Sequence, residues 1–114
     1  MSAAGGQAFE YAGDPALRDR IDAALHRVVD PEMAIDIVDL GLVYAVRAAG
    51  ARVDVRATMT SAACPVGEFI VDEIGVELRR ELGEGMEVRV ELIWDPPWGP
   101  ERMSARARAA MDWD

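Results

Sequence analysis

The chain has 114 residues, a length that suits one domain with a single hydrophobic core. Hydrophobic residues make up 51% of the chain, which excludes an intrinsically disordered composition. The formal net charge of −9 argues against nucleic-acid binding, because that function requires a basic surface. All 12 cationic side chains are arginines, so lysine-dependent Schiff-base chemistry is excluded.

Cysteine, histidine and the apolar runs limit the class further. The single cysteine, Cys64, excludes an intramolecular disulfide framework, and the single histidine, His26, excludes a histidine-rich zinc site within one chain. No apolar run approaches the length of a membrane span, and the N-terminus does not read as a secretory signal. These features predict a cytoplasmic protein that does not act in a membrane.

The first helix is predicted to follow a flexible N-terminal tail at residues 1–13, so that the domain covers residues 14–114. Asp14 is a helix N-cap and Pro15 suits the first helical position. The helix should end near Val29, because the residue before a proline is disfavoured in the α region. Its apolar face recurs at spacings of three and four: Leu17, Ile21, Ala24, Leu25 and Val28.

Asp30-Pro31-Glu32 then opens a predicted loop that reaches to about Asp39. The loop is either an ordinary helix-stopping turn or a site with two carboxylates, which can act as a base or as hard metal ligands. We interpret Asp36 as a solvated loop acid.

An antiparallel hairpin follows the loop. The first strand begins at Leu40, the turn lies at Ala49-Gly50-Ala51, and the second strand alternates cleanly up to Thr60. This alternation puts Thr58 and Thr60 on the polar face.

Cys64 lies where the strand pattern stops and a helical pattern starts. Pro65 suits the first helical position, so Cys64 is predicted at or beside the N-cap, where free N–H groups and the helix dipole favour the thiolate. Thr60 and Ser61 add hydroxyl groups nearby. A small buried cysteine before a helix is the alternative interpretation.

The second helix should run from Pro65 to Leu82, with Phe69 widening its apolar stripe. A third strand follows at Met86 to Trp94, which suggests a parallel β-α-β crossover with Trp94 inward. A last helix capped by Ser104 completes the order α-β-β-α-β-α. The predicted fold is therefore α/β with two layers and a three-stranded mixed sheet.

Four motifs in this order resemble the SufT/PaaD-like metal–sulfur cluster biosynthesis family, whose relatives serve iron–sulfur assembly. Each motif alone is weakly specific, and together they cover nearly the whole domain. The motifs are Asp30-Pro31-Glu32, Asp39-Leu40-Gly41-Leu42-Val43-Tyr44, Thr60-Ser61-x-x-Cys64-Pro65 and Asp95-Pro96-Pro97-Trp98.

The resemblance implies an iron–sulfur cluster assembly domain and a role in maturing iron–sulfur proteins. It also implies that SUF-type assembly proteins and iron–sulfur client proteins are the partners. The family's characteristic polar residues carry over to Asp30, Glu32, Thr60 and Cys64. Ser61 stands where many members have threonine and keeps the hydroxyl group. By the same motif, Trp98 is expected to pack beside the Cys64 loop.

One thiolate cannot supply all the ligands that an iron–sulfur cluster requires. A stably bound cluster in a monomer is therefore not expected, and a transient cluster or iron remains. Three arrangements stay open: Cys64 shared across a homodimer, Cys64 combined with thiolates from a partner, and an adaptor that holds no cluster. The competing class is a thiol enzyme with Cys64 as nucleophile and His26 as base, although a partly exposed helix histidine also explains His26.

Overall fold

The fold is a mixed sheet with helices packed on one face, as the computed structural model describes it for residues 9–60 and 67–111. The strands lie side by side in the order β1-β4-β5-β6, and β2 and β3 form a separate two-stranded ribbon. The strands are β1 (Glu10–Gly13), β2 (Val29–Asp30), β3 (Ile35–Asp36), β4 (Val43–Ala49), β5 (Arg52–Ala57) and β6 (Glu87–Leu92). The helices are α1 (Pro15–His26), α2 (Ile37–Leu40), α3 (Gly67–Leu82) and α4 (Ala105–Ala110).

Strand pairing confirms the α/β class and its mixed sheet. β4 and β5 form the predicted antiparallel hairpin, and β5 pairs with β6 in parallel across the crossover helix α3. The helices bury their apolar stripes against the sheet, with Ile21 and Leu25 of α1 and Ile70 and Ile74 of α3 fully buried. The opposite face of the sheet carries charged side chains.

The main sheet has four strands where three were predicted. Glu10–Gly13, which the sequence analysis placed in the N-terminal tail, forms β1 and pairs in parallel with β4. Gly13 makes this pairing feasible. It has φ +127°, and a Cβ there would lie 1.9 Å from the carbonyl oxygen of Ala48. The short strand lacks a periodic pattern that would identify it without its partner.

Helix α1 starts as predicted and ends earlier. The Asp14 side chain caps it by accepting from the N–H of Ala16 at 2.9 Å, and Pro15 is the first helical residue. The helix ends at His26 instead of near Val29. Val29 and Asp30 are extended and pair with Ile35–Asp36, which suits a β-branched residue better than a helical turn does.

Helix α2 lies inside the segment that was predicted as a loop. Asp36 caps it by accepting the N–H of Asp39 at 2.9 Å, and Gly41 ends it in the left-handed conformation with φ 80°. Asp36 is therefore a half-buried cap, and the prediction of a solvated loop acid was wrong. The helix buries Ile37, Val38 and Leu40.

Two large aromatic side chains are more exposed than predicted. Phe69 points away from the buried stripe of α3 and is 50% exposed. Trp94 was expected inward, but it is 46% exposed because β6 ends at Leu92 and the alternation does not continue to Trp94. Strand β5 likewise ends at Ala57, and Thr58, predicted on the polar face, is buried.

The C-terminal segment confirms one further capping prediction. The hydroxyl of Ser104 accepts the N–H of Ala107 at 3.0 Å, and α4 follows. Met103 and Ala107 are buried and hold this helix on the domain. Across the part of the chain that the structure describes, no helix is both long enough and apolar enough to span a bilayer.

Candidate functional site

Asp30 organises the turn that carries the first motif. Its side chain is 1% exposed, and Oδ1 accepts the backbone N–H groups of Glu32 at 2.8 Å and Met33 at 3.2 Å. The Asp30 carbonyl accepts the N–H of Ala34 at 2.7 Å. Asp30 therefore stabilises this turn through the hydrogen bonds that its side chain accepts. The side chain of Glu32 lies at the exposed surface of the same turn.

A run of backbone hydrogen bonds ties this turn to the end of β5. Ile37 donates to Val28 at 2.9 Å, Leu42 donates to Ile37 at 2.9 Å, and Thr58 donates to Leu42 at 2.8 Å. Val28 is two residues before Asp30, and Thr58 is two residues before Thr60. These three hydrogen bonds connect the residues just before the Asp30–Glu32 turn, which we call the acidic turn, through α2 to the end of β5.

The described residues on either side of segment 61–66 lie close together. Met59 is buried, and its Cγ lies 3.6 Å from the point where a Cβ of Gly67 would stand. The end of the β5 segment therefore packs on the first described turn of α3. Cys64 and Ser61 lie in the segment between them, outside the described residues. Thr60 is the last described residue before it and is partly exposed.

Thr58 adds a polar group that the sequence analysis did not single out. Its side chain is fully buried, and its hydroxyl has no hydrogen-bond partner among the residues that the structure describes. A buried hydroxyl without a hydrogen-bond partner costs free energy. It lies two residues before Thr60, close in sequence to the cysteine segment.

The second motif, Asp39–Tyr44, and the fourth motif, Asp95–Trp98, contact each other through two hydrogen bonds. The indole N–H of Trp98 donates to the carbonyl of Leu40 at 2.7 Å, and the hydroxyl of Tyr44 donates to the carbonyl of Pro96 at 2.9 Å. The guanidinium of Arg102 stacks over the Tyr44 ring at 4.4 Å. Trp98 is partly buried against the core. Its predicted contact with the Cys64 loop lies outside the described residues.

Gly41 lets the second motif approach the backbone of Arg102, which follows the fourth motif in the chain. A Cβ at this residue would lie 2.2 Å from the carbonyl oxygen of Arg102, and its φ of +80° also favours glycine. The Asp39 carbonyl accepts the N–H of Ser104 at 2.7 Å on the other side of the contact. The C-terminal segment is therefore fastened to α2 and the start of β4 by main-chain contacts.

A cluster of ionisable side chains around α2 was missed by sequence reasoning. His26 Nδ1 lies 3.0 Å from Asp36 Oδ2, and Arg106 Nε donates to Asp39 Oδ2 at 3.0 Å. His26 was expected to be a partly exposed helix residue, and its side chain is 33% exposed at the end of α1. The Asp36-x-x-Asp39 spacing before Gly41 was a capping signal that could have revealed α2.

The two aspartates of this cluster have opposite pKa shifts. Burial raises the pKa of Asp36, and the adjoining Asp39 carboxylate adds to the rise. Burial also acts to raise the pKa of Asp39, but hydrogen bonds from Arg106, Asp36 and Ser104 together outweigh it and lower that pKa.

Comparison with known proteins identifies the family. The model of a family described as iron–sulfur cluster assembly protein matches residues 18–92. The chain belongs to this family. The matched region contains the Asp30 turn, the β4–β5 hairpin, the cysteine segment and α3, whereas the Asp95–Trp98 motif and Arg106 lie after it.

Curated relatives of this iron–sulfur cluster assembly family member carry functional names. The Fe-S protein maturation auxiliary factor YitW of Bacillus subtilis is 40% identical over 99 residues, covering 86% of this chain and 96% of the relative. The Fe-S protein maturation auxiliary factor SufT of Staphylococcus aureus is 42% identical over 85 residues, covering 74% and 96%. The chain thus matches these relatives over nearly their full length.

A crystal structure supports the fold. A domain of unknown function from Bacillus anthracis superimposes with a TM-score of 0.81 at 40% identity, covering 85% of this chain and 92% of that one. At 40% identity, the two proteins are similar in sequence as well as in fold. The two-layer α/β architecture of the iron–sulfur cluster assembly family is therefore shared.

Proposed function

We propose that this protein is an auxiliary factor in the maturation of iron–sulfur proteins and that Cys64 is its reactive thiolate. The iron–sulfur cluster, or iron, is the cargo and is held transiently. Cys64 supplies one ligand, and the remaining ligands come from a second copy of the chain, an assembly protein or the client. The relatives' names support the role in maturation.

The observation that carries the proposal is the connection between the Asp30 turn and the strand end that leads to Thr60. The Asp30 turn and Thr58 are joined through main-chain hydrogen bonds, and Met59 packs on Gly67. The single cysteine of the chain lies in sequence between Thr60 and Gly67, so we expect it near this connection. In this proposal, Asp30 holds the shape of the turn, and Glu32 presents an exposed carboxylate at its surface.

A thiol enzyme that uses His26 as base has less support. Nδ1 of His26 lies 3.0 Å from Asp36 Oδ2, and Nε2 lies 3.6 Å from Asp22 Oδ1. Both ring nitrogens thus face carboxylates near α2 and α1. This pairing explains the histidine without a thiol partner.

The test is complementation of cells that lack the protein, with the activity of an iron–sulfur enzyme as readout. Cys64→Ala should lose complementation, because a thiolate is the only soft metal ligand that this segment offers. Cys64→Ser is the matched control, since it keeps the size and a hydroxyl but not the sulfur, and it should fail as well. Full complementation by both variants would contradict the thiolate role and favour an adaptor.

Anaerobic reconstitution with iron and sulfide tests the cargo directly. The wild type should develop sulfur-to-iron absorption bands, and native mass spectrometry should find the cluster on a dimer or on a complex with a client. The Cys64→Ala protein should show neither. Bands that persist without Cys64 would show that this residue does not hold the cargo.

A further inference from the structure

We propose that His26, Asp36 and Asp39 form a binding site for a divalent transition-metal cation such as Zn²⁺. One candidate ligand atom from each side chain lies within 4.8 Å of the other two. An imidazole and two carboxylates are donors that suit zinc, cobalt and ferrous iron. Within residues 9–60 and 67–111 this is the one group of three such side chains with that geometry. The proposal uses none of the residues assigned to the iron–sulfur role and stands independently of it.

The three side chains are already positioned by the fold. His26 ends α1, Asp36 is the N-cap of α2, and Asp39 lies in the last turn before Gly41. The aspartate side chains are only 13% and 12% exposed, whereas that of His26 is 33% exposed. Little side-chain freedom remains to be lost on binding, and the histidine side leaves a path for the ion.

The local charge balance favours a cation. Two carboxylates adjoin each other, and each accepts hydrogen bonds from groups around α2. The only fixed positive charge described beside them is Arg106, whose Nη2 pairs with Asp39 and lies 4.0 Å from Asp36 Oδ1. The side chain of Arg106 is 75% exposed, so it can leave without disturbing the core. A divalent ion would neutralise both carboxylates and would take the place of the guanidinium.

The protons also balance. His26 Nδ1 is within hydrogen-bond distance of Asp36 Oδ2, and a metal bound at Nδ1 replaces the hydrogen between them. The ring proton then resides on Nε2, which lies 3.6 Å from Asp22 Oδ1. Asp22 then lies behind the ring, where outer carboxylates orient metal-bound histidines.

The experiment titrates the full chain with Zn²⁺ alone, in a Cys64→Ala background that removes the thiolate. Affinity is measured by competition with a chromogenic chelator. Because His26 is the only histidine, the imidazole NMR signals report directly on the ligand. We expect a Kd below about 1 mM and a shift of these signals on binding.

Five variants give the decisive comparison. His26→Gln and Asp39→Asn should each weaken binding at least about tenfold. Asp19→Asn, at a 98% exposed side chain of α1, is the matched charge control and should leave binding unchanged. Arg106→Gln should tighten binding by up to about fivefold, since Arg106 competes for Asp39, while the control Arg108→Gln should not.

The Arg106 result separates a metal site from a structural cluster, because a loss of folding cannot tighten binding. A histidine signal that ignores Zn²⁺, affinity that survives His26→Gln, or weaker binding by Arg106→Gln would each overturn the proposal. None of these outcomes bears on Cys64, so failure here leaves the maturation role unaffected.

Discussion

Asp30 has a structural role in its turn that is separate from the chemical role proposed for the site. Asp30 holds the turn through two backbone N–H groups, so replacing it would change the turn as well as remove a charge. An activity loss in Asp30→Ala could therefore come from either effect. Asp30→Asn separates them, because an asparagine oxygen accepts the same hydrogen bonds without the negative charge.

We expect that replacing Ala34, in the same turn, with glycine will increase the free energy of unfolding. Its φ is 59°, in the left-handed region where a Cβ costs roughly 1–2 kcal/mol. Replacing Ala34 with glycine removes that cost and gives back part of it through the greater freedom of the unfolded chain. The free energy of unfolding should rise by roughly 0.5–1 kcal/mol in urea denaturation.

The matched control for Ala34 is Ala23, an exposed residue within α1. Ala23→Gly should lower the free energy of unfolding by roughly 0.5–1 kcal/mol, because helix interiors disfavour glycine. Equal losses at both positions would show that Ala34 is not held in a left-handed conformation in solution.

Among the elements, β1 is the one that depends most on a single close approach. The strand pairs with β4 over four residues and is followed at once by the Asp14 cap of α1. Tyr11 contributes a hydroxyl hydrogen bond to the Asp14 carbonyl, which links the strand to the helix start. β1 therefore fixes the entry to α1 as well as one edge of the sheet.

Gly13→Ala should detach this strand. The new Cβ would overlap the Ala48 carbonyl, which is backbone and cannot move aside, in addition to the cost of a positive φ. We expect a loss of more than about 1 kcal/mol in the free energy of unfolding. Amide hydrogen exchange should also become faster in β1.

Gly50→Ala is the control for this substitution. Gly50 also has a positive φ, +60°, but a Cβ there would meet nothing within 4 Å. The variant should show only the backbone cost, and β1 should stay protected. If both variants lose the same stability and β1 remains protected in each, the close contact with Ala48 does not exist in solution.

At the scale of the whole molecule, an ion-pair network joins α1 to α3. Arg27 Nε lies 2.9 Å from Glu77 Oε1, its Nη2 lies 3.0 Å from Glu81 Oε1, and Arg20 also contacts Glu81. Glu77 is nearly buried, and Arg80 pairs with it from the next helical turn. These contacts connect the two helices that cover the sheet.

The network predicts an acid-dependent loss of stability at Glu81. Hydrogen bonds from Arg27 and then Arg20 lower the pKa of Glu81 below its ordinary value of 4.5. A lowered pKa in the folded state adds stability above the unfolded pKa, and this stability is lost as the pH falls through the folded pKa. The stability difference between wild type and Glu81→Gln should therefore shrink from about pH 6 to about pH 3.

Urea denaturation across this pH range measures the difference, with Glu84→Gln as control for a charge change at an exposed residue beyond the end of α3. High salt should reduce the Glu81 effect, because the pairs are close to solvent. A constant difference between wild type and Glu81→Gln at all pH values would contradict the pairing.

Local sequence by itself determined the major elements. Apolar spacing of three and four, alternation with a period of two, and the caps at Asp14 and Ser104 all depend on neighbours within a few residues, and the structure confirms them. The order of the four motifs also indicated the family, and the family model confirms it. These features can be recognised in the sequence because they do not depend on a partner far along the chain.

Tertiary structure decided the features that depend on distant partners. β1 exists because Gly13 meets Ala48, Trp98 is held by Leu40, and the charge on Asp39 is balanced by Arg106 from the other end of the chain. The exposure of Trp94 follows from where β6 ends in the sheet. No periodicity signals such contacts, because pairing across many residues is set by the packing of whole elements.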